Sequence, residues 1–417
     1  MGAPYLPQLH APQFRLANAM TELTKLPLAA LALVLAASAV QADPLPLKRG
    51  VSVHEWLNWS PVNEDRSYKW PPYIGEDQWL GGYRPLADWP EGDVFQTIAG
   101  LGFDFVRLSV DPGPLASTQG AKQAEALDII AAAITRINDA GLHVVLDLHG
   151  VSQVPQYGMD MVQGGAGSAG VTQYLAMLGP VATRLAAIGT DKVALEPYNE
   201  PAYYPCDESG TEDWQQIMTR SVEAIRAASA DLTIVATGAC GGSVAGLTDL
   251  DPQFDDPNLL YSFHMYEPHD FTHQRAETEN GFLSGLPWPA DTGTEQAVLD
   301  HLRARMTEAG VAPGEQDTAL AGMRSSISDY FAKNWGMPQL EARFDAVTAW
   351  ADSHGIETSR LFMGEFGAIL MPSDGKMGAF NTDRLRYIEA VRLEAEARGM
   401  RWSIWEWSNP FGMSVIL

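Results

Sequence analysis

The chain has 417 residues, 46% of them hydrophobic and 19% charged, which supports a packed core and argues against a disordered polymer. A formal net charge of −25 works against nucleic acid and anionic membranes as partners, because both need concentrated Lys and Arg. The length admits one large domain or two ordinary ones.

The N-terminus reads as an address. Leu26 to Val40 is apolar and about as long as the core of a secretory signal, and Val40-Gln41-Ala42 offers small residues before a cut. Met20 and Lys25 precede the run, so translation is expected to start at Met20 and the mature chain near Asp43. Residues 1–42 are thus an N-terminal extension and signal, and 43–417 the functional domain. An uncleaved anchor is the alternative, although the run is short for a transmembrane helix. Removal of the leader predicts a secreted or periplasmic protein, free of the membrane and monomeric. In such a compartment Cys206 and Cys240, both placed just after predicted strands, either pair or stay free.

Eight apolar, β-rich runs follow: Gly50–Leu57, Phe103–Val110, His143–His149, Val193–Glu200, Thr233–Gly238, Leu259–Glu267, Leu361–Gly367 and Arg401–Trp407. Between them lie stripes with helical spacing: Leu127/Ile130/Ile134/Ile137, Tyr174/Leu178/Val181/Leu185, Trp214/Ile217 or Met218/Val222/Ile225, Leu340/Phe344/Val347 and Leu385/Ile388/Val391. Gly102, Gly141 and Gly399 fall where helices should stop. Eight strands alternating with helices predict an α/β protein, a single-domain (β/α)8 TIM barrel with long loops after strands 1, 3 and 6. A doubly wound open sheet competes, but no Gly-rich phosphate loop follows the first strand. The three long connections are Asn58–Pro90, Val151–Gly170, whose glycines suggest a mobile rim loop, and Pro268–Arg360, long enough for extra helices.

In such a barrel the active site lies at the C-terminal strand ends, and the unusual polar residues sit there. Arg107 ends one strand and His149 the next; Asn199 and Glu200 end the fourth, His264 and Tyr266 the sixth and Glu365 the seventh, with Trp405 in the eighth. Two glutamates delivered by separate apolar strands are what glycoside hydrolysis needs: one carboxyl protonates the leaving oxygen and the other attacks. Close carboxylates disfavour double ionisation, so one pKa should rise, while Arg107 beside Glu365 should keep that carboxylate charged and low. Tyr266 suits a hydrogen bond to Glu365, His264 or His149 suits tuning Glu200, and the Asn199 amide suits a sugar hydroxyl. A separation of about 5–5.5 Å between the carboxyls predicts retention, and one near 9 Å inversion. Glu196, four before Glu200, reads as structural. Trp56, Trp59, Trp70, Trp79 and Trp89 are either sugar platforms or loop core. His264, His269 and His273 with Glu267 fit no compact metal motif, and no Gly-x-Ser-x-Gly elbow is present, so neither metal nor serine chemistry is expected.

Seven stretches in order carry a resemblance: Arg49-Gly50-Val51-Ser52, Leu101 to Leu108, Asp147-Leu148-His149, Asn199-Glu200-Pro201, His264-Met265-Tyr266, Gly364-Glu365-Phe366-Gly367 and Trp405-Glu406-Trp407. On these the chain resembles glycoside hydrolase family 5, the cellulase family of retaining (β/α)8 glycosidases, from about residue 48 to the end. The resemblance implies Glu200 as general acid/base, Glu365 as nucleophile and Trp405 as the floor beneath the attacked sugar. Arg107, His149, Asn199, His264 and Tyr266 would form the supporting shell. It further implies a β-linked glucan substrate, first of all a β-1,4-glucan, with no cofactor; β-mannan cleavage, exo action and glycan binding without turnover are the alternatives. Two departures stand out. The chain ends at Leu417, where the family usually continues into a closing helix, so either the sequence is truncated or another element covers that flank. Pro197 inside a strand predicts a bulge, because it removes a ladder donor.

Overall fold

The computed structural model describes residues 43–416 apart from 84–91, 204–205, 207–211, 255, 277–280 and 410–411. The predicted leader, including Met20, and Trp89 therefore lie outside the described residues. No described helix is long and apolar enough to cross a membrane.

All eight predicted strands form: β1 (Arg49–Leu57), β2 (Phe105–Val110), β3 (His143–Leu148), β4 (Val193–Glu196), β5 (Thr233–Thr237), β6 (Leu259–Met265), β7 (Leu361–Phe366) and β8 (Arg401–Ile404). They close into one parallel barrel in the order β1-β8-β7-β6-β5-β4-β3-β2, which rules out the open sheet. Strands covered on both faces need continuous apolar runs, and β2, β4, β5, β6 and β7 are buried at every position.

The helices include α1 (Val94–Gly100), α2 (Ala121–Asn138), α3 (Ala169–Ile188), α4 (Glu212–Ala228), α5 (Val244–Asp249), α6 (Glu295–Glu308), α7 (Pro313–Lys333), α8 (Met337–Ser353) and α9 (Asn381–Ala397), besides a short one at Glu76–Tyr83 and three single turns. Asp93, Ser168, Ser243 and Thr294 cap the starts of α1, α3, α5 and α6 by accepting first-turn backbone N–H groups. Gly102, Gly141 and Gly399 adopt φ of 92°, 83° and 71°, the left-handed turn predicted at helix ends. The stripes of α2, α3, α4 and α8 face the core as predicted. The last stripe holds in part. Val391 is buried and Ile388 packs half-buried on the core, but Leu385 is 53% exposed, and Arg384, Tyr387 and Ala395 complete the buried face of α9. Apolar spacing misplaces this face because Arg384 is its anchor, donating to the carbonyls of Ala368 (2.8 Å), Met413 (2.9 Å) and Ser414 (2.5 Å).

Side chains inside the barrel are sorted by depth. Phe105, Val145, Ala194, Val235, Leu260 and Phe362 form an apolar layer at the N-terminal end, and Leu45 and Leu47, ahead of β1, close it from below. The Leu45 N–H donates to Thr233 Oγ1 at 2.9 Å. Gly50 is required here, since a Cβ would fall 2.2 Å from the Phe105 ring. Towards the C-terminal end the interior turns polar.

The connection after β6 holds α6, α7 and α8, as its length predicted. The glycine-rich loop after β3 lies against a neighbouring helix. It is tied to α4 by hydrogen bonds from Ala166 N–H to Asp213 (2.8 Å) and from Arg220 to the Ala166 carbonyl (2.6 Å). Near the end of β1, Trp56 stacks on Trp79 of the short helix Glu76–Tyr83 with ring centroids 5.3 Å apart, and both are buried core.

Cys206 and Cys240 are joined, with Cα atoms 5.9 Å apart, inside the roughly 4.4–6.8 Å range of disulfides. The native, unreduced protein is therefore expected to offer no alkylatable thiol, and two after reduction. The bridge closes a loop of sequence separation 34, so losing it should cost about 4 kcal/mol of stability by chain entropy. Mass spectrometry after alkylation checks the first point, and two labelled thiols in native protein would refute the pairing.

Candidate active site

The polar layer is built around Arg107, which projects from the middle of β2, not from its end, and is fully buried. Its Nε donates to Glu196 Oε2 (2.7 Å), Nη1 to Glu365 Oε1 (2.7 Å) and Nη2 to Asn199 Oδ1 (2.8 Å), and Nη2 lies 3.1 Å from Asp147 Oδ2. One guanidinium thus organises residues from β3, β4, β7 and the loop after β4.

Glu365, in β7, is 4% exposed. Its second oxygen accepts from Tyr266 Oη at 2.8 Å, as expected from the sequence. Gly364 precedes it because a Cβ there would meet Ser262 Oγ at 2.8 Å and His264 Nε2 at 3.0 Å.

Glu200 is reached differently from the expectation. The fourth strand ends at Glu196, four residues early. The ladder to β3 stops with the Asp147–Glu196 pair and resumes once, as Asn199 N–H bonds the Leu148 carbonyl at 3.1 Å. Pro197, which has no N–H to give, sits in the interruption. Glu200 therefore stands on a loop, at φ 42°, a left-handed conformation rare for residues other than glycine. Its side chain is 38% exposed and faces the cleft, with Oε1 2.7 Å from His264 Nδ1. Glu196 lies deeper and buried on Arg107, as its structural reading required.

A carboxylate oxygen of Glu200, one of Glu365 and a ring nitrogen of His264 all lie within 4.8 Å of one another. This places the two carboxyls in the close class and well short of 9 Å. His149 does not touch Glu200. Its Nδ1 is 2.8 Å from Asp147, its Nε2 is 3.3 Å from the Asn199 amide, and its ring stacks on Trp405 at 5.6 Å and 17°. Trp405 follows the end of β8 and is held by its N–H to the Phe366 carbonyl at 2.9 Å.

Two participants escaped the sequence reading. His54 packs on Trp405 (4.6 Å) and His149 (4.8 Å), and only its place near the end of β1 hinted at this. Asp147 bonds both Arg107 and His149; a charge inside an apolar strand was the available signal. Trp59 is 39% exposed and lines a cavity of about 200 Å³ with Glu200, Asn199, His149 and His54. Among the described tryptophans of the segment after β1, Trp59 is the one placed as a platform, whereas Trp70 is occupied with Glu125. A larger cavity of about 780 Å³ lies between α2 and α3, far from the carboxylates and without comparable chemistry.

The electrostatics revise one expectation. Burial raises Glu365 to about 7, outweighing the pull of His264 and Arg107, and the Glu200 charge adds to the rise. Burial likewise raises Glu200 to about 7, with Asp147 and Glu196 adding to it against Arg107 and His269. Arg107 does not hold Glu365 low, because Asp147 and Glu196 share its charge and are themselves raised by burial. The pair therefore retains a proton near neutrality. The donors decide where the remaining negative charge sits: Glu365 receives two strong hydrogen bonds, whereas Glu200 faces His264, which burial keeps neutral.

The donors of Glu200, His264 and Glu365 are close enough to hold a cation. Both Glu365 oxygens are already taken by Arg107 and Tyr266, however, and a cation there would favour ionising both carboxyls. His269 and His273 stack on each other at 4.7 Å.

The chain matches the family model "Cellulase (glycosyl hydrolase family 5)" over residues 63–410. It is 24% identical over 338 residues to Endoglucanase 3 of Fibrobacter succinogenes, covering 78% of this chain but 46% of that protein. It is 25% identical over 236 residues to Cellodextrinase A of Ruminococcus flavefaciens, covering 54% of this chain and 68% of the relative. The chain thus spans about half the length of the first relative. Among solved structures, an endoglucanase of Thermotoga maritima shares the fold with a TM-score of 0.58 at 19% identity, covering 89% of this chain and 94% of that one. With a family model spanning most of its length and a closed eight-stranded barrel, the chain belongs to the cellulase family, glycosyl hydrolase family 5.

Proposed function

We propose that the protein is a retaining glycoside hydrolase that cleaves β-linked glucan, first of all β-1,4-glucan. The observation that carries this reading is the approach of the Glu200 and Glu365 carboxylates within 4.8 Å at the C-terminal rim of the barrel. In retaining enzymes one carboxyl attacks the anomeric carbon while the other, protonated, releases the leaving oxygen. Glu365 is the nucleophile: Arg107 and Tyr266 stabilise its anion and aim it. Glu200 is the general acid and then the base: it faces the cleft, keeps a proton up to about 7 and gives it to the glycosidic oxygen. In the second half, Glu200 takes a proton from water as the glycosyl–Glu365 ester is hydrolysed. Trp405 floors the subsite, and Asn199, fixed by Arg107, offers its amide to the sugar beside the attacked carbon.

Action within a chain is favoured by space beyond the pair: the cavity with Trp59 borders Glu200, and another of about 600 Å³ begins at His269 and His273, ring neighbours of Tyr266. The names of the relatives, an endoglucanase and a cellodextrinase, agree with a β-glucan substrate. The apolar run Leu26 to Val40 supports export, with cleavage near Asp43 and action outside the cytoplasm as a monomer.

A panel of β-1,4-glucan, mixed-linkage β-glucan and β-mannan, digested by wild type and by Glu200→Gln and Glu365→Gln, tests the reading. Wild type should cut a β-glucan, and each variant should lose about 10²-fold or more. Cleavage of mannan alone moves the substrate class, and binding without cleavage replaces the enzyme by a glycan-binding protein.

The pH profile follows from the same groups. Activity should fall as pH rises through about 7, where Glu200 loses its proton; an alkaline limb that survives in Glu200→Gln would contradict this origin.

Stability falls over the same range. The folded carboxyls bind protons more tightly than the unfolded ones, so their contribution is fully present below about 4.5 and lost as pH rises through about 7. At pH 8 the Glu365→Gln protein should therefore melt above wild type, by about 1 °C for each kcal/mol relieved in a domain of this size; an equal or lower Tm there would show that the native carboxylate is not under strain.

A further inference from the structure

The general acid/base stands on a loop in a left-handed conformation, so its aim depends on what holds that loop. The holder is the turn after β5. Cys240, Gly241 and Gly242 run in succession through φ of 52°, 62° and 66°. This bend presents two backbone donors to the Glu200 loop: Gly241 N–H bonds the Pro201 carbonyl at 3.0 Å, and Cys240 N–H bonds the Tyr203 carbonyl at 3.1 Å. Gly242 backs the catalytic hydrogen bond itself. A Cβ on it would stand 3.5 Å from Glu200 Cγ and 3.5 Å from His264 Nδ1. The next residue, Ser243, pairs with His264 in a parallel bridge. One four-residue turn therefore touches both partners of the Glu200–His264 contact, and the Cys206–Cys240 disulfide ties it covalently to the chain that leaves Glu200.

We propose that the Cys206–Cys240 disulfide is a positioning element for the general acid/base, clamping the Cys240–Ser243 turn beneath Glu200 and setting its hydrogen bond to His264. The proposal rests on the acid/base reading of Glu200. Opening the bridge leaves two backbone hydrogen bonds to hold a glutamate in an unfavourable conformation. The carboxyl then drifts from the glycosidic oxygen and gains solvent.

Leaving-group dependence separates positioning from general damage, because protonation of the leaving oxygen matters for a poor leaving group and hardly at all for a good one. The experiment measures kcat/KM, which reports the step up to glycosyl–enzyme formation, on phenyl and dinitrophenyl β-cellobiosides. It compares oxidised wild type, wild type reduced with dithiothreitol, the Cys206→Ser/Cys240→Ser double variant and Gly242→Ala. The reduced enzyme and both variants should lose about 10-fold or more on the phenyl substrate, part of the 10²–10⁴-fold a general acid supplies. On the dinitrophenyl substrate they should stay within about 3-fold of wild type. Their alkaline limb should move to lower pH, as Glu200 loses burial. Equal losses on both substrates, or none on either, would overturn the clamp. Glu200→Gln, run alongside, should show the same selectivity in larger measure; if it loses both substrates equally, the acid/base assignment fails and not the clamp. Should the cysteine variant fail to fold, the wild type reduced with dithiothreitol carries the test of the bridge, with Gly242→Ala reporting on the turn it holds.

Discussion

A single buried guanidinium organises the working end of this barrel. Arg107 meets Glu196, Glu365, Asn199 and Asp147 at 2.7 to 3.1 Å, and among the described residues no other arginine or lysine forms an ion pair with those carboxylates. Removing ionised groups from water is costly and is offset only by close, well-aligned partners. Three buried carboxyls sharing one cation cannot all be satisfied as anions, and their affinity for protons rises together. The same shortage that weakens the fold at high pH keeps a proton available for chemistry.

The rest of the molecule makes that arrangement tolerable. Aliphatic and aromatic side chains fill the lower barrel, with Leu45 and Leu47 sealing its floor. Arg107 is bonded through three of its nitrogens, and Asp147 is braced by Ser109 as well as His149. The rigid strands carry Arg107, Asp147, His264 and Glu365. The nucleophile thus rests on β7, while the acid/base hangs from a loop that needs external support. This division suits the roles. A nucleophile must hold one line of attack, whereas an acid/base must meet a leaving oxygen and later a water.

Much of the site was legible beforehand because polar residues at the ends of apolar strands have few structural excuses. Arg107, Asn199, His264, Tyr266, Glu200 and Glu365 converge as read. His149 converges too, but on Asp147 and Trp405, since its neighbours across the barrel are invisible along the chain. His54 was missed for the same reason. Leu385 was misread because an arginine, not a leucine, anchors its helix. The low pKa expected of Glu365 failed because burial outweighs the pull of Arg107, and because pairwise reasoning left out the nearby charges of Glu200 and Asp147.

Apolar periodicity and its punctuation by glycine are local properties, so the sequence by itself determined eight strands, their alternation with helices and the barrel class. It also determined which end of each strand carries the chemistry, since polar residues appear where the apolar runs stop. Distances and protonation belong to the tertiary structure alone. The 4.8 Å approach of the carboxylates, the pairing of Cys206 with Cys240 and the left-handed turn beneath Glu200 depend on segments tens to hundreds of residues apart. Their physical cause is collective: burial strips water from several charges at once, and only the closed barrel decides which of them face each other.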